Sequence, residues 1–438
     1  MDPRRTIDHG PMSRFQVAAV AICLVINMLD GFDVLAIAFA APAIALEWRV
    51  SAESLGVLFS AGLVGMMLGS LLIAPLADSI GRRPVTVLCL VVISAGMFAS
   101  AAAPDLRVLA ATRAVTGLGI GGMLASLNTI VAEYASLRWR DFAVSLLQTG
   151  YPIGATIGGT ISAVLLREYG WRSVFLLGAV LSTACIPLVL WRLPESLDYL
   201  IARRSHGGLA RVNALLAKLG SPRLDALPPA DDDVDPGTGR GVARLFSPRL
   251  RAASVLLWLA FFFVMLSFYF ALNWTPKILV DSGLSVTGGV TGGVLMNVGG
   301  IVGAGLLGWT SSRVGLGRLV AGYMGACAVA FALFAMLGTA LAPRLAVAAL
   351  LGFFLFGSMV GLYAMAPRLY PPAIRTTGIG WAIGIGRGGA ILGPWVAGLL
   401  LAAGWESATC YAVFALPMAA AMLAAAAMRL PAEERARI

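Results

Sequence analysis

Four charged residues interrupt otherwise apolar stretches, and their types are those that hold a proton or an anion. Asp30 and Asp33 lie midway along one apolar run, in Asn27-Met28-Leu29-Asp30-Gly31-Phe32-Asp33, while Arg113 and Arg387 lie in two others. A charge at the bilayer centre costs about 2.5–3.5 kcal/mol on insertion scales, so four of them need a polar cavity or one another. The i, i+3 spacing puts both aspartates on one helix face, and Gly31 between them lets a helix or ligand approach the backbone. A carboxyl in such a place is pulled two ways: burial favours the neutral acid, and a nearby guanidinium favours the carboxylate. That balance suits a group that takes up and releases a proton. A structural Asp–Arg stitch between two helices is the competing reading, and Arg387, from the opposite half of the chain, argues against it.

Positioning these residues is the work of membrane-spanning helices. Of 438 residues, 59% are apolar and 12% charged, with a mean hydropathy of +0.86; soluble chains run nearer ~45–50% and ~25%. A large soluble enzyme, a disordered chain and a nucleic-acid-binding module are thereby disfavoured. Twelve apolar segments fall at about 15–42, 55–77, 84–103, 107–132, 142–166, 171–193, 253–275, 287–309, 319–341, 345–368, 376–402 and 406–428, each near the ~20 residues a spanning helix needs. A polar stretch separates them six and six. The expectation is an all-α polytopic membrane protein of 12 transmembrane helices in two six-helix bundles, 1–193 and 253–438, joined by a cytoplasmic central loop at 194–252.

Charge sets the orientation. With both termini cytoplasmic, 24 of the 32 Lys and Arg lie inside, six lie in outer loops, and Arg113 and Arg387 remain within the membrane. This bias follows the positive-inside rule, so the net charge of +10 reads as topology and not as nucleic-acid binding. The five cysteines sit scattered in apolar runs, which predicts neither a disulfide framework nor a zinc site. No cleavable signal peptide is read at the N-terminus. The two histidines, His9 and His206, occupy polar segments, which removes histidine relays and haem ligation within the membrane. With no HExxH, P-loop or cofactor motif, the sequence predicts no enzyme, no metal and no cofactor beyond a proton gradient.

The halves repeat. Arg140 is followed at +14, +18 and +19 by Gly154, Gly158 and Gly159, and Arg375 at the same offsets by Gly389, Gly393 and Pro394. Duplicated six-helix halves are an architecture of secondary transporters, with substrate bound near the bilayer midplane.

Family resemblance enters with the loops. Gly69-Ser-Leu-Leu-Ile-Ala-Pro-Leu-Ala-Asp78-Ser-Ile-Gly81-Arg82-Arg83 closely resembles the loop signature of the major facilitator superfamily, which latches the two halves and influences their switching. The matching second-half loop has Ser312 at the acidic position, so that latch is expected to be degenerate. Pro194-Glu195-Ser196 and Glu133-Tyr134 with Arg138 and Arg140 resemble two further superfamily motifs of conformational type. Asp30-Gly-x-Asp33, the stretch from Tyr370 through Arg375 to Arg387, and Ser267-Phe-Tyr269-Phe-Ala-Leu-Asn273-Trp274-Thr-Pro276 are similar to the aromatic acid:proton symporter family over nearly the whole chain. That resemblance implies import of benzoate-like acids, such as 4-hydroxybenzoate, for aromatic hydrocarbon catabolism. It also implies functional positions at Asp30, Asp33, Asp78, Gly81, Arg113, Glu133, Arg375 and Arg387, and a monomer in the inner membrane. A Gram-negative bacterial source is expected, with high Ala and Arg content and only two lysines hinting at a GC-rich genome.

An arene carboxylate needs a cation for its charge and an apolar slot for its ring. Arginine gives a planar fork and can stack on aromatics, making Arg113 and Arg387 the candidate substrate cations. Phe32, Phe39, Tyr151, Tyr269, Trp274, Tyr363 and Trp381 are candidate ring walls, and Asn128, Gln148, Asn273 and Asn297 candidate partners for phenolic hydroxyls. Asp30 and Asp33 are the expected proton carriers. A sugar, drug or other organic-acid carrier of the same fold, or a transporter that doubles as a chemotaxis sensor, are the alternatives.

Overall fold

The computed structural model describes residues 7–8, 10–203, 208–220, 222–227, 245–248, 250–337, 341–370 and 374–428. These form helices, with no strand among the described residues. The first part of the chain builds α1 (Arg14–Trp48), α2 (Ala52–Leu72), the short α3 (Leu76–Ile80), α4 (Arg82–Ala101), α5 (Leu106–Tyr134), α6 (Arg140–Tyr169) and α7 (Arg172–Arg192). Two short helices follow, α8 (Leu197–Arg203) and α9 (Gly208–Lys218). The second part builds α10 (Arg251–Asp281), α11 (Val286–Val314), α12 (Leu316–Met336), α13 (Leu341–Leu369), α14 (Arg375–Ala402) and α15 (Ser407–Ala427).

Among the described residues, eleven helices are long and apolar enough to cross a membrane. The expected span at 142–166 falls on α6, which is helical but is not one of the eleven. Gln148, Thr149, Thr156, Thr160 and Ser162 dilute its apolar composition. Helix starts carry ordinary capping chemistry: the Asp105 carboxylate accepts from the Val108 N–H at 2.9 Å, and the Ser285 hydroxyl from the Gly288 N–H at 3.1 Å.

The chain divides into two compact units. The first comprises Met1–Val34, Val64–Gly154 and Phe175–Asp235, and the second Leu35–Leu63, Ala155–Val174 and Pro236–Ile438. In the first unit, backbones approach so closely that side chains are excluded. A Cβ on Gly31 would lie 2.0 Å from the Tyr151 carbonyl oxygen, and one on Gly154 1.7 Å from that of Met28, joining α1 to α6. Gly65 meets the Ala114 carbonyl in the same way, joining α2 to α5. Gly178 faces Met97, joining α7 to α4.

The second unit repeats this pairing. Gly389 meets the Phe262 carbonyl between α14 and α10, Gly299 meets the Ala349 carbonyl between α11 and α13, and α12 packs on α15. First pairs with fifth, second with fourth, and third with sixth. Gly154 and Gly389 are the residues the internal repeat singles out. Gly65 and Gly299 add a second correspondence, 234 residues apart, which the sequence reading passed over. Segments from the N-terminal half are also built into the second unit: the Ser60 hydroxyl donates to the Ile391 carbonyl at 2.7 Å, and Phe59 meets Trp274 edge-on at 5.3 Å.

The described parts of the stretch after α7 include two helices despite its polar composition. Val212, Leu215 and Leu216 share the buried face of α9, at i, i+3 and i+4. Asn213 exchanges two hydrogen bonds with the Leu224 backbone, at 2.9 and 2.8 Å. The acidic run 231–236, together with His9 and His206, lies outside the described residues.

Candidate functional site

Asp30 and Asp33 stand at the middle of α1, 3% and 1% exposed, and Arg113 on α5 is 2% exposed. The first unit brings Asp33 and Arg113 together, but not as an ion pair. Arg113 Nη2 donates to the Asp33 backbone carbonyl at 2.6 Å, Nη1 reaches Met97 Sδ at 3.0 Å, and the guanidinium lies 5.6 Å from the Phe175 ring centre. The Asp33 carboxylate instead accepts from the Ser182 hydroxyl at 3.2 Å. No ion pair among the described residues includes Asp30, Asp33 or Arg113.

Three polar atoms are therefore buried here without a hydrogen-bond partner: Asp30 Oδ1, Asp33 Oδ1 and Arg113 Nε. Such atoms are rare in folded proteins, because each forfeits its hydration without compensation. Open acceptor capacity on two carboxyls beside an open guanidinium donor is what proton uptake and anion capture require. Ser182, Phe175, Met97 and Gly178 complete the surroundings. A Cβ on Gly178 would stand 2.5 Å from Asp33 Oδ1, so any larger residue there would have to displace the Asp33 carboxylate or the Met97 side chain. The sequence reading missed these four. The i, i+4 spacing of Gly178 and Ser182 is their one signal.

Phe32, the ring candidate between the aspartates, is buried beside this cluster at 2% exposure. The second unit holds most of the remaining candidates. Arg387 lies half-buried on α14, within electrostatic reach of Tyr269 on α10 and Tyr363 on α13. Asn273 donates its side-chain N–H to the Tyr269 carbonyl at 2.8 Å, and Trp274 donates to the Pro394 carbonyl at 3.0 Å. Both are buried in helix packing, and Trp274 is also the partner of Phe59. Trp381 stacks on Trp258 at 5.9 Å and is 46% exposed. Asn297 is fully buried with Oδ1 unpartnered, whereas Gln148 is exposed.

The loop motifs converge at the end of the first unit. Glu195 Oε1 accepts from the backbone N–H groups of Arg82, Arg83 and Ser196 at 2.8, 3.2 and 2.8 Å. It thereby caps the start of α4, where the helix dipole favours an anion. Gly81 adopts φ +104°, and a Cβ there would lie 2.4 Å from Glu195 Oε2. Ser196 Oγ donates to Glu133 at 2.9 Å, the Tyr134 hydroxyl to the Glu195 carbonyl at 2.6 Å, and Arg82 lies over the Tyr199 ring. Three motifs read separately in the sequence form one network. The side chains of Asp78, Ser312 and Arg375 lie outside the described residues.

Long apolar helices in repeated pairings, with buried carboxyls and a buried guanidinium within them, define the class of secondary transporters. Comparison with known proteins agrees: the sequence matches the Major Facilitator Superfamily over residues 23–361, and the chain belongs to that family. Among curated proteins it is 34% identical to a gallate transporter of Pseudomonas putida, covering 97% of this chain and 94% of that one. It is 32% identical to a 4-hydroxybenzoate transporter of Acinetobacter baylyi, covering 97% and 93%. Its fold is similar to that of the partially occluded, inward-open xylose transporter XylE of E. coli, with a TM-score of 0.72 at 16% identity, covering 94% of this chain and 97% of that one. The chain is a transporter and not an enzyme.

Proposed function

We propose that the protein is a proton-coupled symporter that imports small aromatic carboxylates of the hydroxybenzoate type by alternating access. The observation that carries this reading is the cluster of Asp30, Asp33 and Arg113, with unpartnered oxygens on both carboxyls and an unpartnered nitrogen on the guanidinium. The aromatic-acid substrates named for the relatives in Pseudomonas and Acinetobacter support the solute class. Asp30 and Asp33 carry the coupling proton. Arg113 or Arg387 receives the substrate carboxylate, and Phe32, Tyr269, Asn273 and Trp274 are the further substrate-binding residues. When an anion engages the guanidinium, the balance at the aspartates changes and proton and solute move in one cycle. Gly81, Arg82 and Glu133, together with Asp78 and Arg375, act in conformational switching.

The same reading places twelve spans across the inner membrane of a Gram-negative cell, with α6 as the twelfth and both termini cytoplasmic, in a functional monomer. The excess of Lys and Arg on one side supports that orientation. The test is uptake of radiolabelled 4-hydroxybenzoate by proteoliposomes, with gallate, benzoate, gentisate and nicotinate as competitors. Saturable uptake displaced by aromatic acids is expected. Uptake displaced only by a sugar, or by an organic cation, overturns the assignment.

A further inference from the structure

Between α1, α4, α7 and the two short helices after it lies an open cavity that the transport chemistry does not use. Its volume is about 830 Å³, and its wall carries four bases, Arg83, Arg192, Arg211 and Lys218. The one acid in that wall, Glu195, is already committed to three backbone N–H groups. Arg83 donates one guanidinium nitrogen to the Leu190 carbonyl, while its Nε is buried with no partner. Arg192, Arg211 and Lys218 form no ion pair with any carboxylate among the described residues, and all three are exposed. Part of the wall is apolar: Leu190 and Trp191 line it, and Trp191 is 81% exposed at the end of a spanning helix. Tryptophan at that position is an anchor at headgroup level.

A basic bowl with an apolar, membrane-level rim fits an anionic amphiphile. We propose that this cavity seats the phosphate of an anionic phospholipid, held by Arg192, Arg211 and Lys218 with Arg83, its acyl chains lying along Leu190 and Trp191. A soluble phosphate shares the headgroup chemistry but leaves the apolar rim without a partner. The site is independent of the solute carried and stands or falls apart from the transport reading.

The test is made on the full chain in nanodiscs of phosphatidylcholine, with or without phosphatidylglycerol. Thermal unfolding and lipid retention by native mass spectrometry are both recorded. Phosphatidylglycerol is expected to raise Tm and to remain bound to the wild type. Arg192→Gln with Arg211→Gln is expected to weaken that retention about thirtyfold, taking each base near the surface at its usual worth. The double variant Arg251→Gln with Arg318→Gln, which removes two exposed bases elsewhere, is expected to retain the lipid. Equal Tm values in pure phosphatidylcholine show that both double variants fold. Equal loss in the two double variants, or no effect of phosphatidylglycerol on the wild type, overturns the proposal. Stabilisation by inorganic phosphate in pure phosphatidylcholine, matching that of the lipid, overturns the lipid assignment.

Discussion

Arg113 shows how far a buried charge can be read and where the reading ends. Its presence in an apolar run, like that of Asp30 and Asp33, is conspicuous because only 12% of residues are charged. Its partner is a backbone carbonyl, and a backbone acceptor leaves no mark in the sequence. Ser182, Phe175 and Met97 were equally hidden, being common residues of apolar helices that gain meaning only when α4 and α7 pack beside α1. Arg113→Lys should behave nearly as badly as Arg113→Gln, because a lysine cannot reach the Asp33 carbonyl and Met97 while keeping a planar donor for a carboxylate. A loss of about 2–5 kcal/mol is expected, read as at least a thirtyfold rise in the half-saturating concentration or loss of measurable uptake. Asp30→Asn and Asp33→Asn should each abolish uphill accumulation, yet leave solute exchange in counterflow, since the shape of the carboxyl is retained while its proton cycle is lost.

At the scale of elements, glycine decides which helices touch. The sequence shows Gly154 and Gly389 at corresponding places in the two halves. The structure gives the reason: each lets the fifth helix of its half lie against a backbone carbonyl of the first. What the sequence left unreadable was the partner, because a carbonyl on a neighbouring helix has no residue type. Gly154→Leu or Gly389→Leu should lower the melting temperature in detergent, at a cost of at least the ~1–3 kcal/mol of an overpacked core. Gly305→Ala, where a Cβ meets nothing within 4 Å, should leave it unchanged. The loop motifs make the same point. Glu195→Ala removes the anion that caps α4 and should destabilise the protein by about 0.5–2 kcal/mol, with slower transport at unchanged substrate affinity. Equal transport rates in wild type and variant would count against a switching role for the network.

For the whole molecule, composition identified the helical membrane class, and the internal repeat identified the carrier architecture. The substrate itself is the least legible part. Trp274 is a candidate ring wall and Asn273 a candidate partner for a phenolic hydroxyl, and both donate hydrogen bonds to carbonyls within helix packing. An aromatic residue on an apolar helix serves core and cavity equally well, so its type alone cannot choose between them. Two aspartates also permit either one or two protons per substrate. One proton with a monoanion moves no net charge, whereas two make uptake respond to the membrane potential by ~2.3 kcal/mol per 100 mV. Proteoliposomes with a potassium diffusion potential at equal pH distinguish the cases, and potential-driven uptake is the signature of the second proton.

Proton coupling through the buried aspartates is tested by a pH gradient imposed at zero membrane potential. Proteoliposomes clamped at zero potential with potassium and valinomycin are given an inward pH gradient and radiolabelled 4-hydroxybenzoate. The wild type should accumulate the acid above its external concentration and release it on addition of a protonophore, while Asp33→Asn should only equilibrate it. Accumulation that is the same without the pH gradient, or that survives in both Asp30→Asn and Asp33→Asn, would contradict the account.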